Sequence, residues 1–210
     1  MRFSIIIPAY NSEKYIIKAL NSVKMQTFHD YELIVVCDSC EDNTMELAQA
    51  FGAITIAVGY HNDGLSRSKG LDIATGEYVL FMDDDDWWTD DKMLEYLDTK
   101  IKVEKDPDVL AFGFYFRGIG HAHARRTGGD LWIATWNKCW KRSSIGETRF
   151  PNVKSISDRY FHNEMMEKNL RIVECDKEFY YYNYLREGSQ SQLQGNTLHG
   201  TLQFIEKYGI

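Results

Sequence analysis

From Phe3 to Lys105 the chain alternates short apolar runs with segments whose apolar residues recur at helical spacing, and this regularity restricts the fold more than any other feature of the sequence. Phe3 to Pro8, Tyr31 to Cys37, Ile54 to Val58 and Tyr78 to Met82 read as strands. Ser12 to Lys24, Thr44 to Phe51, Leu65 to Ala74 and Asp90 to Lys105 read as helices, with Asn11 or Ser12 placed to cap the first and Gly52 to stop the second. Such strand–helix repetition predicts an α/β fold with a mostly parallel central sheet and helices on both sides. Beyond Asp106-Pro107 the pattern changes. Val109 to Phe116 reads as a further strand, Gly118 to Gly129 as a long glycine-rich loop of the kind that forms lids, and Asp158 to Asn169 as a helix. Arg171 to Val173 and Phe179 to Leu185 read as strands and Thr197 to Tyr208 as a last helix. The length of 210 residues suits one domain, 1–210, whose parts 1–106 and 107–210 differ in pattern.

The four consecutive aspartates Asp83 to Asp86 follow the apolar run Tyr78-Val79-Leu80-Phe81-Met82. They should emerge at the C-terminal end of a buried strand, the edge of an open α/β sheet where ligands bind. Two carboxylates about 4 Å apart repel by roughly 4 kcal/mol at the effective dielectric near a protein surface. A divalent cation relieves that repulsion, and hard oxygen ligands in small number suit Mg²⁺ or Mn²⁺, whose shell is completed by substrate phosphates. The alternative is a solvated acidic turn. The strand before the cluster and Trp87-Trp88 behind it favour the metal.

A formal charge of −7 argues against nucleic acid as a partner. No segment is long enough to span a bilayer, and Met1-Arg2-Phe3-Ser4-Ile5-Ile6-Ile7-Pro8 is too short an apolar stretch for a signal peptide. With Cys37, Cys40, Cys139 and Cys175 read as reduced thiols, the expected location is cytoplasmic, peripheral association with the inner face of the membrane staying open. Between Phe116 and Phe150, Arg117, Arg125, Arg126, Lys138, Lys141, Arg142 and Arg149 outnumber Asp130 and Glu147. This stretch reads either as a contact for an anionic substrate or as a solvated face.

Several segments, in order, resemble family 2 glycosyltransferases of the GT-A fold. Ser4-Ile-Ile-Ile-Pro-Ala-Tyr-Asn11 is similar to the family's opening strand and Gln26-Thr27-Phe28 to its QTY/QTF turn. Glu32-Leu-Ile-Val-Val36 with Asp38 and Asp42-Asn43-Thr44 resembles EIIVVDDGSTDNT, and Phe81-Met-Asp-Asp-Asp-Asp-Trp87 resembles FLDSDDW, the DxD site. Trp136-Asn137-Lys138 is similar to a WNKLYKR element, and Tyr181-Tyr182 with Arg186-Glu187-Gly188-Ser189 to a YYYRxREGS element. The match runs over nearly the whole length.

The resemblance implies an inverting, nucleotide-sugar-dependent transferase of bacterial polysaccharide assembly. Its donor would be a nucleoside-diphosphate sugar, a UDP-sugar first, and its acceptor a hydroxyl on a saccharide or lipid-linked saccharide. Residues 1–106 would form the nucleotide-sugar-binding half and 107–210 the acceptor-binding half. On this reading Asp85 and Asp86 hold Mn²⁺ or Mg²⁺ beside Asp83, with Asp84 a bystander. Pro8, Ala9 and Tyr10 hold the nucleobase, Asp38 accepts its ring N–H, Glu13 lies nearby, and Arg67 approaches the diphosphate. Asp158 is the catalytic base, at the place where the family carries a Glu-Asp pair and this chain has Ser157-Asp158. Helix capping by Ser157 or Asp158 is the plainer explanation, and Glu164 the next candidate for the base.

Other departures are Cys37 for the first aspartate of the usual pair and Ser39-Cys40 for Gly-Ser. Together these spell CxxC, which the carboxylate-rich surroundings separate from zinc or redox motifs. Two further readings compete with transfer: a catalytically silent sugar-nucleotide or glycan-binding protein, and a sugar nucleotidyltransferase. The latter's glycine-rich phosphate loop is missing after the first strand. His121-Ala122-His123 reads as a solvated pair before a metal site. Trp132, Trp136 and Trp140, at helical spacing, and the tyrosines from Tyr180 to Tyr184 read as packing before sugar platforms.

Overall fold

The computed structural model describes residues 1–117, 120–124, 133–154 and 156–183. In chain order the strands are β1 (Phe3–Ala9), β2 (Tyr31–Asp38), β3 (Ile54–Val58), β4 (Tyr78–Phe81), β5 (Trp87–Trp88), β6 (Val109–Phe116), β7 (Gly120–Ala122), β8 (Lys138–Lys141) and β9 (Ile172–Tyr182). The helices are α1 (Ile16–Lys24), α2 (Thr44–Ala50), α3 (Asp63–Ile73), α4 (Met93–Val103), α5 (Arg142–Ile145) and α6 (Ser157–Met166). The described residues form a nine-stranded sheet in the order β3-β2-β1-β4-β8-β6-β9-β5, with β7 on β6.

Along β3-β2-β1-β4 every pairing is parallel, as the strand–helix alternation predicts. From β8 onward the sheet is mixed: β8 runs antiparallel to both β4 and β6, while β9 is parallel to β6. Alternate residues of the parallel strands serve opposite faces. Ile5, Ile7 and Val35 pack with Leu20 of α1, Ala48 of α2 and Leu97 of α4. Ile6, Ile34 and Val36 pack on the other side with Leu71 of α3 and Phe161 of α6. Burial on both faces explains why these strands read as unbroken apolar runs. Among the described residues no helix is long and apolar enough to cross a membrane.

Four differences from the sequence expectations have local causes. Helix α1 begins at Ile16 and takes no side-chain cap, because the Ser12 carbonyl accepts from Tyr15 and Ile16 N–H in a tight turn while the polar side chains before it are used elsewhere. Helix α4 begins at Met93, since Asp90 folds back to accept from Lys92 N–H at 2.8 Å, a local turn that competes with helix. The segments read as two strands near the end are one, β9; its charged middle, Glu174 to Glu178, hid the continuity, and the pairing with β6 shifts register around Gly113. Trp136 and Trp140 are not on a helix: Trp140 is central in β8 and both are buried, as packing requires. Of the expected lid, residues 120–122 are β7, where His121 pairs with Glu178. Residues 118, 119 and 125–130 lie outside the described residues, as do Trp132, Tyr184, Arg186 to Ser189 and the helix expected from Thr197 to Tyr208.

Candidate active site at the C-terminal edge of the sheet

Strands β1, β2 and β4 run parallel and deliver their C-terminal ends to one edge. Pro8 and Ala9 are buried there, whereas Tyr10 is 59% exposed. Asp84, read as a bystander, joins the ends of β1 and β4: its Oδ2 accepts from Tyr10 N–H at 3.2 Å and from the Ser12 hydroxyl. Asp83 and Asp85 are half-buried at the edge.

Asp86 points the other way. It is fully buried, Tyr180 Oη donates to its Oδ2 at 2.7 Å, and Asn183 N–H donates to its Oδ1 at 2.8 Å. Burial, followed by the charges of Asp85 and Asp83, pushes its carboxyl well above the usual range. The expectation that Asp86 binds a metal is therefore corrected. Both oxygens are committed inward, and the residue anchors the acidic turn to the end of β9. Tyr180 Oη also accepts from Asp83 N–H at 3.0 Å, and the Asn183 amide donates to the Asp85 carbonyl at 3.3 Å. The turn is thereby held from behind, with the Asp83 and Asp85 carboxylates half-buried at the sheet edge. A pair of carboxylates of this kind fits Mg²⁺ or Mn²⁺, which take few protein ligands and complete their shell with phosphate and water.

Helix α3 contributes the charge that organises the cluster. Its start is capped by Asn62, whose side chain accepts from Leu65 N–H at 3.0 Å. One turn in, the buried guanidinium of Arg67 pairs with Asp63, reaches Asp83 at 2.5 Å and lies 3.7 Å from Asp158. Burial works against its charge, and Asp158, Asp83 and Asp63 together overcome it and raise its pKa further. The expected approach of Arg67 to a diphosphate is replaced by this position among carboxylates.

Asp158 stands in the first turn of α6, its Oδ2 facing Thr135 N–H at 3.5 Å and the Thr135 hydroxyl at 3.3 Å. Burial raises its pKa; Arg67 opposes the rise, and Asp83 and Asp63 add to it. A raised value suits a group that must take up a proton near neutrality. The capping explanation does not describe this helix: Ile156 is the N-cap, with φ +59, and no side chain caps the end. A β-branched residue in that backbone region is strained by about 1–3 kcal/mol, a cost concentrated at functional sites. Lys138 of the Trp136-Asn137-Lys138 element is fully buried, and burial brings it down to about 7, against the pull of Asp158.

The approach of α6 to α3 depends on Gly64. A Cβ there would lie 2.8 Å from Ser157 Cβ and 3.1 Å from Phe150 Cβ, neither of which can swing away. Gly64→Ala should therefore push the start of α6 outward and separate Asp158 from Arg67. The expected result is a stability loss of about 1–3 kcal/mol by thermal or urea unfolding.

Asp38 is also reassigned. It is buried, with Oδ1 accepting from Tyr60 N–H at 2.7 Å and His61 N–H at 2.9 Å, and Oδ2 from Asn62 N–H at 2.8 Å and the Ser66 hydroxyl at 3.0 Å. Burial disfavours its charge, yet these donors hold its pKa below the usual value. A carboxylate offers about four acceptor positions, so Asp38 serves as the scaffold of the loop before α3 and not as an outward acceptor for a base. Glu13 similarly turns to Asn43, accepting from its side-chain amide at 3.0 Å. Tyr10 and Tyr60, 59% and 43% exposed, are the aromatic groups left open at this edge.

The family described as "Glycosyl transferase family 2" matches residues 4–171, which include the acidic turn, Arg67 and Asp158. The chain belongs to this family. GlyA, a glycosyltransferase of Streptococcus pneumoniae serotype 4, is 27% identical over 91% of this chain and 32% of its own length. TarS of Staphylococcus aureus strain Mu50, a poly(ribitol-phosphate) β-N-acetylglucosaminyltransferase, is 28% identical over 90% of this chain and 36% of its own. The chain thus spans about a third of the length of these curated relatives. The crystal structure of S. aureus TarS 1–349 in complex with UDP-GlcNAc superposes with a TM-score of 0.80, at 28% identity, over 91% of this chain and 61% of that one. The GT-A fold expected from the sequence is the fold observed.

Within this family 2 scaffold, Arg67 brings Asp83 and Asp158 together and Tyr10 meets the acidic turn through Asp84, while Asp38, Glu13 and Asp86 turn to structural partners. Sequence reasoning passed over Asp63, Thr135, Tyr180 and Asn183. Asp63 carried a signal, its four-residue spacing from Arg67 on a helix. The other three come from distant segments whose approach no local pattern announces.

Proposed function

We propose that this chain is the catalytic domain of an inverting, divalent-metal-assisted glycosyltransferase that moves a sugar from a nucleoside-diphosphate sugar, a UDP-sugar first, to an acceptor hydroxyl on a surface polysaccharide or lipid-linked saccharide. The observation that carries the reading is the Arg67 cluster, which holds Asp83 of the acidic turn and Asp158 of α6 about a single guanidinium. It joins the first half, as the donor side, to the second half, as the acceptor side. The likeness to the S. aureus TarS complex with UDP-GlcNAc supports a uridine donor.

In this reading Tyr10 and Tyr60 flank the nucleobase, and Asp85 with Asp83 would hold Mn²⁺ or Mg²⁺. When bound, the cation would supply Lewis-acid neutralisation of the charge growing on the leaving diphosphate. Asp158 accepts the acceptor hydroxyl's proton as that oxygen attacks the anomeric carbon from the face opposite the leaving group. Arg67 keeps the acid and base components in register without itself meeting the donor.

Calorimetry with UDP, with and without Mn²⁺, tests the donor site and the reassignment of Asp86 together. UDP should bind with the metal and lose most of its affinity without it. Asp85→Asn should abolish the metal dependence, while Asp86→Asn, altering a group that faces inward, should retain it. Metal-independent UDP binding, or equal losses in both variants, would overturn the assignment.

A further inference from the structure

Strand β2 ends at Cys37 and Asp38; Ser39, at φ +58, then turns the chain back, and Cys40 returns to the end of β1. The Cys40 thiol donates to the Ala9 carbonyl at 3.4 Å, and Ala9 is itself the register partner of Cys37 across β1 and β2. The two cysteines, three positions apart, thus both adjoin Ala9 at the end of β1. Cys37 is buried and Cys40 is half-exposed. The neighbouring Cys40 and burial push the Cys37 thiol up, while Cys37 and the Asn11 amide bring Cys40 down, against burial and the nearby charges of Asp42 and Asp84. An accessible sulfur that ionises more readily stands before a shielded one, the division between attacking and resolving thiol.

We propose that Cys37 and Cys40 form a reversible dithiol–disulfide site, oxidised by a low-molecular-weight disulfide, that controls the edge where β1 and β2 end. Cys40 thiolate attacks one sulfur of the oxidant, whose S–S bond breaks and releases one thiolate. Cys37, giving up its proton, attacks Cys40 Sγ in the mixed disulfide and expels the second. The protein loses two electrons and two protons, and the oxidant becomes two thiols. The product has no S–H to donate to the Ala9 carbonyl, and Cys40 is drawn toward Cys37 and away from the Asn11 amide. Tyr10 lies between Ala9 and Asn11, and the Asn11 side chain accepts from Glu41 N–H at 2.8 Å, so the whole turn follows. The effect on donor binding rests on the function proposed above; the disulfide does not.

The test treats the full chain with oxidised glutathione and reads intact mass, fragment mass and UDP affinity in the presence of Mn²⁺. The peptide carrying both cysteines should become lighter by two hydrogens, Cys37→Ser should trap a glutathione adduct on Cys40, and UDP affinity should fall by about tenfold, the weight of roughly one hydrogen bond. Dithiothreitol should restore it, and Cys40→Ser, which keeps a donor for Ala9, should be insensitive to the oxidant. Persistence of all four thiols after treatment, or a link through Cys139 or Cys175, overturns the site. A Cys37–Cys40 disulfide with unchanged UDP affinity overturns its control of the edge. If the reduced chain binds no UDP, the donor reading fails, and the mass result alone still decides the site.

Discussion

Asp158→Asn should lower sugar transfer by roughly a hundredfold or more while leaving metal-dependent UDP affinity unchanged, because it removes a proton acceptor and preserves shape. The wild-type rate should rise with pH through the raised pKa of Asp158, placing this acidic limb above the usual aspartate range; the residual activity of the variant should lack it. Stability should respond in the other direction. A carboxyl whose folded pKa is raised binds its proton more tightly in the folded chain than in the unfolded one, so its contribution to stability is present below the unfolded value and is lost as pH rises through the folded value. Above that value the ionised Asp158 is therefore a burden on the fold, and Arg67 retains Asp63 and Asp83 when it is replaced. The melting temperature of Asp158→Asn should be equal to or above that of the wild type. Near-normal transfer at equal donor affinity would move the base elsewhere. Glu164 would be a poor successor, since its carboxylate accepts from the Thr148 hydroxyl at 2.7 Å.

The parallel half of the fold was legible because β1, β2 and β4 are buried on both faces and the helices between them each cover one face, so hydrophobic pattern alone separates them. The second half was less so. Strand β8 joins β4 to β6 with four residues, too few for a period, and their tryptophan and lysines imitate a helix face. Residue types at the acidic turn announced a site, but not which carboxylate faces outward. Two adjacent aspartates differ here because Tyr180 and Asn183, nearly a hundred positions away, claim one of them. Asp38 was misread for the same reason: an aspartate at a strand end suggests a ligand, whereas three consecutive backbone N–H groups of the next loop already surround it. Long-range polar satisfaction, invisible to spacing, divides the carboxylates that act from those that build.

Arg67→Met should produce the largest loss of stability, about 3–5 kcal/mol by urea unfolding at neutral pH, because it removes the cation from a buried cluster and leaves Asp63, Asp83 and Asp158 facing one another. Arg67→Lys should fall between, since one ammonium keeps the charge but cannot divide it among three carboxylates as the guanidinium fork does. The pH dependence separates charge from packing, for Arg67 also lies 5.8 Å over the Phe150 ring. Burial opposes the ionisation of Asp63, yet Arg67 holds its pKa below the usual value. Such a depressed carboxylate stabilises the wild type above its unfolded pKa, and that contribution is lost as pH falls through the folded value. The variant has no such contribution to lose. Its deficit relative to wild type should shrink as pH falls below the unfolded aspartate range, where protonation also relieves repulsion among the three carboxylates. A deficit that stays constant from neutral pH to below that range would assign the loss to the Phe150 contact and reduce Arg67 to a packing residue.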